Sequence, residues 1–189
     1  MVEENIDSKK LVRCFIALEL SREAINYLEE IQTLIKKKNL FYGKFTEPEN
    51  LHLTLKFLGE IPEEKVKLVQ EKLKEIKNKE FEIELGELGF FTEKSFRIVW
   101  VKLVSKAIWE LQTIIDDKLR DLFEKEKRFM SHVTLARIKK VIDKKIFLDY
   151  IKNMKIKPIK LKISEFTLKK SELTREGPNY SDVERYKLL

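Results

Sequence analysis

An α+β fold of two related β-α-β-α-β lobes, arranged with pseudo-twofold symmetry around a central cleft, is predicted by three observations on this 189-residue chain. Short runs of alternating apolar residues are separated by segments with helical apolar spacing along the whole length. The order β-α-β-α-β can be read twice. The only two histidines open two copies of one four-residue pattern, His52-Leu53-Thr54-Leu55 and His132-Val133-Thr134-Leu135, at matching places in the two halves.

In the first half, Leu11 to Leu20 reads as a strand, and residues 22–38 place Ala24, Leu28, Ile31 and Ile35 on one helical face. Lysines close that helix where its dipole favours cations. Leu51 to Leu58 is the first motif strand, with Leu51, Leu53, Leu55 and Phe57 alternating with His52, Thr54 and Lys56, so that one face is buried and the other is free for function. Gly59 ends it, Pro62 suits a first helical turn, and Val66, Val69, Leu73 and Ile76 form the next apolar stripe. Phe81 to Leu85 returns as a strand.

The second half repeats the order. Phe96 to Leu103 reads as a strand and 105–124 as a helix through Ile108, Leu111, Ile115, Leu119 and Leu122. Ser131 to Ile138 is the second motif strand, a helix capped by Asp143 covers 143–153, and Ile159 to Leu168 closes the unit. These readings give a single domain over 1–189, with lobe one at about 11–92 and lobe two at about 95–189.

Each histidine shares a strand face with the threonine two residues on. Imidazole is the side chain that can be acid or base near neutrality, so two of them across a cleft can take one proton and give another. The hydroxyls of Thr54 and Thr134 can donate to the oxygens of a phosphodiester without adding fixed charge. Lys56 alternates onto the face of His52 and is a candidate phosphate contact. Arg137 falls on the face opposite His132 under strict alternation, and only a twist or bulge would bring it in. Phe45 and Tyr180 could stack on a base or simply pack.

Lys and Arg number 39 against 32 Asp and Glu, a formal charge of +7 that favours polyanions such as RNA. The Lys- and Glu-rich 38% charged fraction also suits a protein from a hot environment. Metal catalysis is disfavoured by too few ligands: two histidines, no His-x-x-x-His pair, and a lone Cys14 inside the apolar run Leu11–Leu18. No Gly-x-x-x-x-Gly-Lys-Ser/Thr loop is present, which argues against nucleotide hydrolysis. The acidic Met1-Val2-Glu3-Glu4-Asn5 start is unlike a signal peptide, and no apolar run is long enough to span a membrane. A monomeric cytoplasmic protein is the expectation.

The paired motifs closely resemble the signature of the 2H phosphoesterases. His52-Leu-Thr-Leu-Lys-Phe-Leu-Gly59 and Ser131-His-Val-Thr-Leu-Ala-Arg137 are similar to the RNA 2′,3′-cyclic phosphodiesterase branch, also called the 2′-5′ RNA ligase family. Arg13-Cys-Phe-Ile-Ala-Leu18 and Ser171-Glu-Leu-Thr-Arg-Glu-Gly-Pro-Asn-Tyr180 extend the resemblance over nearly the whole chain; Ser131 stands where members often carry proline. The resemblance implies metal- and cofactor-independent opening of RNA 2′,3′-cyclic phosphate ends, or of small cyclic nucleotides, to 2′-phosphomonoesters, with reversible 2′-5′ ligation as a further capacity. It makes His52 the proton donor to the leaving 3′-oxygen, His132 the acceptor from water, Thr54 and Thr134 the phosphate ligands, and Arg137 a substrate contact. The residues alone leave the acid and base roles open, because the motifs are nearly equivalent. A non-catalytic module that holds RNA ends is the alternative, and it has no use for two titrating imidazoles.

Overall fold

The computed structural model describes residues 10–92, 96–175 and 177–189; the acidic start at Met1–Asn5 and Glu176 of the C-terminal motif lie outside them. Its elements are β1 (Leu11–Glu19), α1 (Arg22–Lys37), β2 (Phe41–Phe45), a 3-10 turn (Pro48–Asn50), β3 (His52–Pro62), α2 (Glu63–Lys74), β4 (Phe81–Phe90), β5 (Ile98–Val104), α3 (Lys106–Lys118), β6 (His132–Val141), α4 (Lys144–Asn153), β7 (Lys160–Ile163), β8 (Glu165–Leu173) and β9 (Pro178–Lys187). Helix starts follow local chemistry. Ser21 accepts from the Ala24 amide at 3.3 Å to begin α1, and Asp143 accepts from the Ile146 amide at 3.0 Å to begin α4, as its sequence position predicts.

The strands form one antiparallel sheet in the order β7-β4-β5-β6-β3-β1-β8-β9, with β2 added beside β6. The order is symmetric about the β3/β6 junction: β1 matches β5, β8 matches β4, and the outermost strands are β9 and β7. This is the predicted two-lobed α+β fold, with one correction to the lobe boundaries. The last strand of each sequence half crosses over. β4, read as part of lobe one, pairs with β5 and β7, whereas β8 pairs with β1 and β9. The predicted strand Ile159–Leu168 is therefore two strands, β7 in one lobe and β8 in the other. A repeated pattern reports that a strand exists, but not which sheet edge it joins.

Helices cross as well. α1 packs on β6 and α3 packs on β3, so each histidine strand is supported by a helix from the other half of the chain. Leu28, Ile31 and Ile35 of α1 and Ile108, Leu111 and Ile115 of α3 are buried at corresponding turns, joined by Leu53, Leu55, Val133 and Leu135. Each such side chain contributes about 1.5–3 kcal/mol of burial. Cys14 is a buried core residue, and burial pushes its thiol up to about 11, which makes it unreactive at neutral pH. No helix among the described residues is long and apolar enough to cross a membrane.

Candidate active site

β3 and β6 pair in register where Leu53 faces Val133, at their histidine ends. Beside that contact lies a cavity of about 390 Å³ lined by His52, Thr54, Phe57 and Asn50 from one side and His132, Thr134, Arg137 and Ile98 from the other. Lys44, Phe45, Thr46, Glu47, Phe91, Pro178 and Tyr180 complete its wall. The pseudo-twofold junction therefore runs through the cavity, and both His-x-Thr pairs enter it.

Strict alternation fails on both motif strands at the same place. Ile16 pairs with Lys56 while Ala17 pairs with Thr54, so Leu55 is an extra residue on β3; Val99 pairs with Ala136 while Trp100 pairs with Thr134, so Leu135 is extra on β6. An extra residue reverses the faces beyond it. The two strands accordingly show one burial pattern, with Lys56 and Ala136 turned inward and Phe57 and Arg137 turned outward. The bulge that Arg137 needed is present, and Arg137 lines the cavity.

Lys56 does the opposite of what alternation predicts. Its side chain is 3% exposed, it lines no part of the cavity, and its Nζ is paired with Asp116 of α3 while also donating to the Glu124 carbonyl at 2.8 Å. Asp116 further accepts from Gln112 Nε2 at 2.7 Å and from the Glu126 amide at 3.0 Å. The lysine is thus an internal strut, corrected from phosphate contact to structural ion pair. Phe57, expected in the core, is instead 69% exposed at the cleft. The signal that finds it is the motif alignment itself, which sets Phe57 against Arg137 five residues after each histidine.

Both imidazoles are held in one orientation by the backbone. His52 Nδ1 lies 2.8 Å from the Asn50 carbonyl and His132 Nδ1 lies 2.8 Å from the Met130 carbonyl. A carbonyl only accepts, so each Nδ1 carries its proton and each Nε2 is left as the exchanging atom. Thr54 Oγ1 stands 3.0 Å from His52 Nε2 and donates to it when the ring is neutral. His132 Nε2 makes no such bond among the described residues.

The ring environments differ. His52 packs on Phe15, centroids 4.9 Å apart, and edge-on to Tyr180 at 5.3 Å; His132 meets Phe91 edge-on at 5.0 Å. Burial lowers the His52 pKa to about 4, opposed by its bond to Asn50 and reinforced by the charges of Lys169, His132 and Arg137. His132 is also lowered, chiefly by burial and secondarily by Arg137. Both rings are therefore neutral at pH 7 in the ligand-free protein. Lys169 is held at 2.6 Å from Glu19 and 2.8 Å from Asp182. Tyr180 serves both as packing for His52 and as cavity wall, while Phe45 packs on Phe41 at 5.5 Å and also reaches the wall. Among the described residues, no three His, Cys, Asp or Glu side chains gather as metal donors.

Comparison with known proteins finds matches along most of the chain. The family model described as LigT like Phosphoesterase matches residues 18–100 and again 101–180. The chain is 32% identical over 183 residues to the RNA 2′,3′-cyclic phosphodiesterase of Methanocaldococcus jannaschii, covering 93% of this chain and 100% of that protein. It is 32% identical over 191 residues to the protein of the same name from Aquifex aeolicus, covering 95% and 98%. Among solved structures, the TT0787 protein of Thermus thermophilus superposes with a TM-score of 0.77 at 27% identity over 93% of this chain and 97% of that one. E. coli LigT complexed with phosphate gives 0.67 at 26% identity, covering 95% and 98%.

Proposed function

The chain belongs to the LigT-like phosphoesterase family, and from that premise we propose that it opens 2′,3′-cyclic phosphate ends of RNA to 2′-phosphomonoesters, using His52 and His132 as a metal-independent acid and base. The observation that carries this reading is the pair of imidazoles in one cavity, each with Nδ1 tied to a carbonyl and Nε2 left for proton exchange.

In the proposed step, water attacks phosphorus while its proton passes to His132 Nε2. The P–O3′ bond breaks as His52 Nε2 protonates the departing 3′-oxygen, so charge and protons balance. Thr54, Thr134 and Arg137 hold the non-bridging oxygens. His132, neutral at pH 7, is ready as the base. His52 begins neutral too, and the anionic phosphate supplies the missing stabilisation of its imidazolium, since an adjacent negative charge raises an imidazole pKa. A 5′-hydroxyl in place of water gives a 2′-5′ linkage by the same two transfers. The relatives named as RNA 2′,3′-cyclic phosphodiesterases support the substrate class. A cytoplasmic, monomeric protein is part of the same reading.

The direction of opening comes from the lobes' asymmetry. Lys56 and Ala136, which differ between the aligned motifs, are both buried away from the cavity; Phe57 and Arg137 are the pair that distinguishes its two sides. Incubation with a short oligoribonucleotide ending in a 2′,3′-cyclic phosphate, with and without EDTA, and phosphorus NMR of the product test the proposal. Unimpaired conversion to the 2′-monophosphate is expected. Binding without turnover would leave only an RNA-end-binding module, and a 3′-monophosphate product would reverse the substrate's orientation.

A further inference from the structure

Arg137 marks the start of a basic strip that leaves the cavity along β2 and β6. Lys44 pairs in register with Arg137, and two residues farther along β2, about 7 Å away, Tyr42 pairs with Lys140. Lys139 is the extra residue of a second bulge on β6, between the partners of Tyr42 and Gly43, so Lys139 and Lys140 are both exposed. Tyr42 is 61% exposed, two residues from Lys44 on β2 and opposite Lys140 in the β2–β6 register.

Two further facts single out this strip. Arg137, Lys139 and Lys140 hold no carboxylate among the described residues, whereas on the opposite wing Lys169, Lys170 and Arg185 are each paired with acidic side chains. The strip also has no counterpart across the pseudo-twofold axis, where the matching residues of β3 are Phe57, Gly59 and Glu60. Lys44 is paired with Glu47, but three cations without acidic partners among the described residues, Arg137, Lys139 and Lys140, beside an exposed ring are what a single-stranded polynucleotide uses: charge tracks its phosphates and the ring stacks on a base.

We infer that the β2–β6 ribbon is the track for the RNA strand upstream of the cyclic phosphate, with Tyr42 as a base platform and Lys139 and Lys140 as phosphate contacts. This rests on the phosphodiesterase reading for the identity of the end bound in the cavity, and extends it to the body of the substrate. The protein then prefers oligonucleotides over cyclic mononucleotides through contacts made well outside the cavity.

The test compares two substrates, a 2′,3′-cyclic mononucleotide and a six-nucleotide RNA with the same terminal group. Tyr42→Ala and the double variant Lys139→Ala/Lys140→Ala are expected to lower kcat/KM on the RNA by about tenfold. Their kcat/KM on the mononucleotide stays at the parental value. The salt dependence of the RNA reaction flattens in the lysine variant. Equal losses on both substrates, or no loss on the RNA, overturn the inference. Should the unmodified protein turn over neither substrate, the phosphodiesterase reading fails on its own. The strip is then judged by fluorescence anisotropy of a labelled RNA ending in a 2′-phosphate: weaker binding by Tyr42→Ala supports it, and unchanged binding overturns it.

Discussion

The histidine strands β3 and β6 follow the same course to the bulge, with the same His-x-Thr start and the same backbone carbonyl behind each ring. They differ in what the bulge displays and what it hides. β3 shows Phe57 and hides Lys56, tied to Asp116 of α3; β6 shows Arg137 and hides Ala136. The supporting glutamines stand at matching turns of α1 and α3. Gln32 donates to the Thr46 and Leu135 carbonyls at 2.8 and 2.9 Å, fastening the β6 bulge directly, whereas Gln112 donates to Asp116 and acts through the ion pair. Duplication thus supplies two equivalent His-x-Thr units to one cavity, and the residues just past each bulge make the two sides of the cleft unlike.

The equivalence is broken most severely by removing either ring. His52→Ala and His132→Ala should each reduce kcat/KM on a cyclic-phosphate RNA by about 10²–10⁴-fold. The double variant should lose little more than the worse single one, because two halves of one concerted transfer are not additive. A folded single variant with near-parental turnover, judged by circular dichroism, sinks the two-histidine reading.

Stability is where the hidden residues should separate. Asp116→Leu leaves Lys56 charged and unpaired in the interior, which costs about 3–5 kcal/mol, read as a fall in the denaturation midpoint. Lys56→Met combined with Asp116→Leu should recover much of that loss. A midpoint unchanged by Asp116→Leu would mean that the pair contributes nothing to joining α3 and β3. Ala136, its counterpart on β6, has no charge to strand.

The displayed residues should separate in the opposite manner. Arg137→Ala is expected to lower kcat/KM about 10- to 100-fold, the worth of a hydrogen bond to a charged group, with no change in the denaturation midpoint. It should also reduce the slope of log KM against log salt by about 0.7. Phe57→Ala should leave that slope intact. Equal slopes for the two variants would remove the proposed division between a charged and an aromatic side of the cleft.

Much of this was legible before folding. The strands and the placement of His52, Thr54, His132 and Thr134 on the cavity-lining face follow from period-two alternation, which holds up to the bulge, and the helices from their 3.6-residue apolar spacing. Lys56 and Phe57 depart from that alternation because a bulge changes the face of every later residue while leaving no mark in apolar patterning: Leu55 and Leu135 look like ordinary strand leucines. β2 was missed because Phe41-Tyr-Gly-Lys-Phe45 is short and interrupted by glycine. The exchange of β4 and β8 between lobes depends on long-range pairing, on which local sequence is silent. Tyr180 and Phe91 reach the histidines only through that exchange.

The smallest expected effect concerns the rings around each imidazole. With only two histidines in the chain, NMR can follow both titrations, each assigned by the other's alanine variant. His52, enclosed by Phe15 and Tyr180, should titrate near pH 4, and His132 below its ordinary value of about 6.5. Because the folded pKa of His52 lies below the unfolded one, its contribution to stability is present above about pH 6.5 and is lost as pH falls towards 4. Tyr180→Ala admits water and should raise the His52 pKa while leaving His132 in place; Phe91→Ala should do the reverse. A 2′-nucleoside monophosphate added to the unmodified protein should raise the His52 pKa towards neutrality, since a proton donor must hold its proton when phosphate is bound. A ligand that raises His132 instead, leaving His52 unprotonated, would exchange the acid and base roles between the two strands while preserving the symmetry that makes either assignment possible.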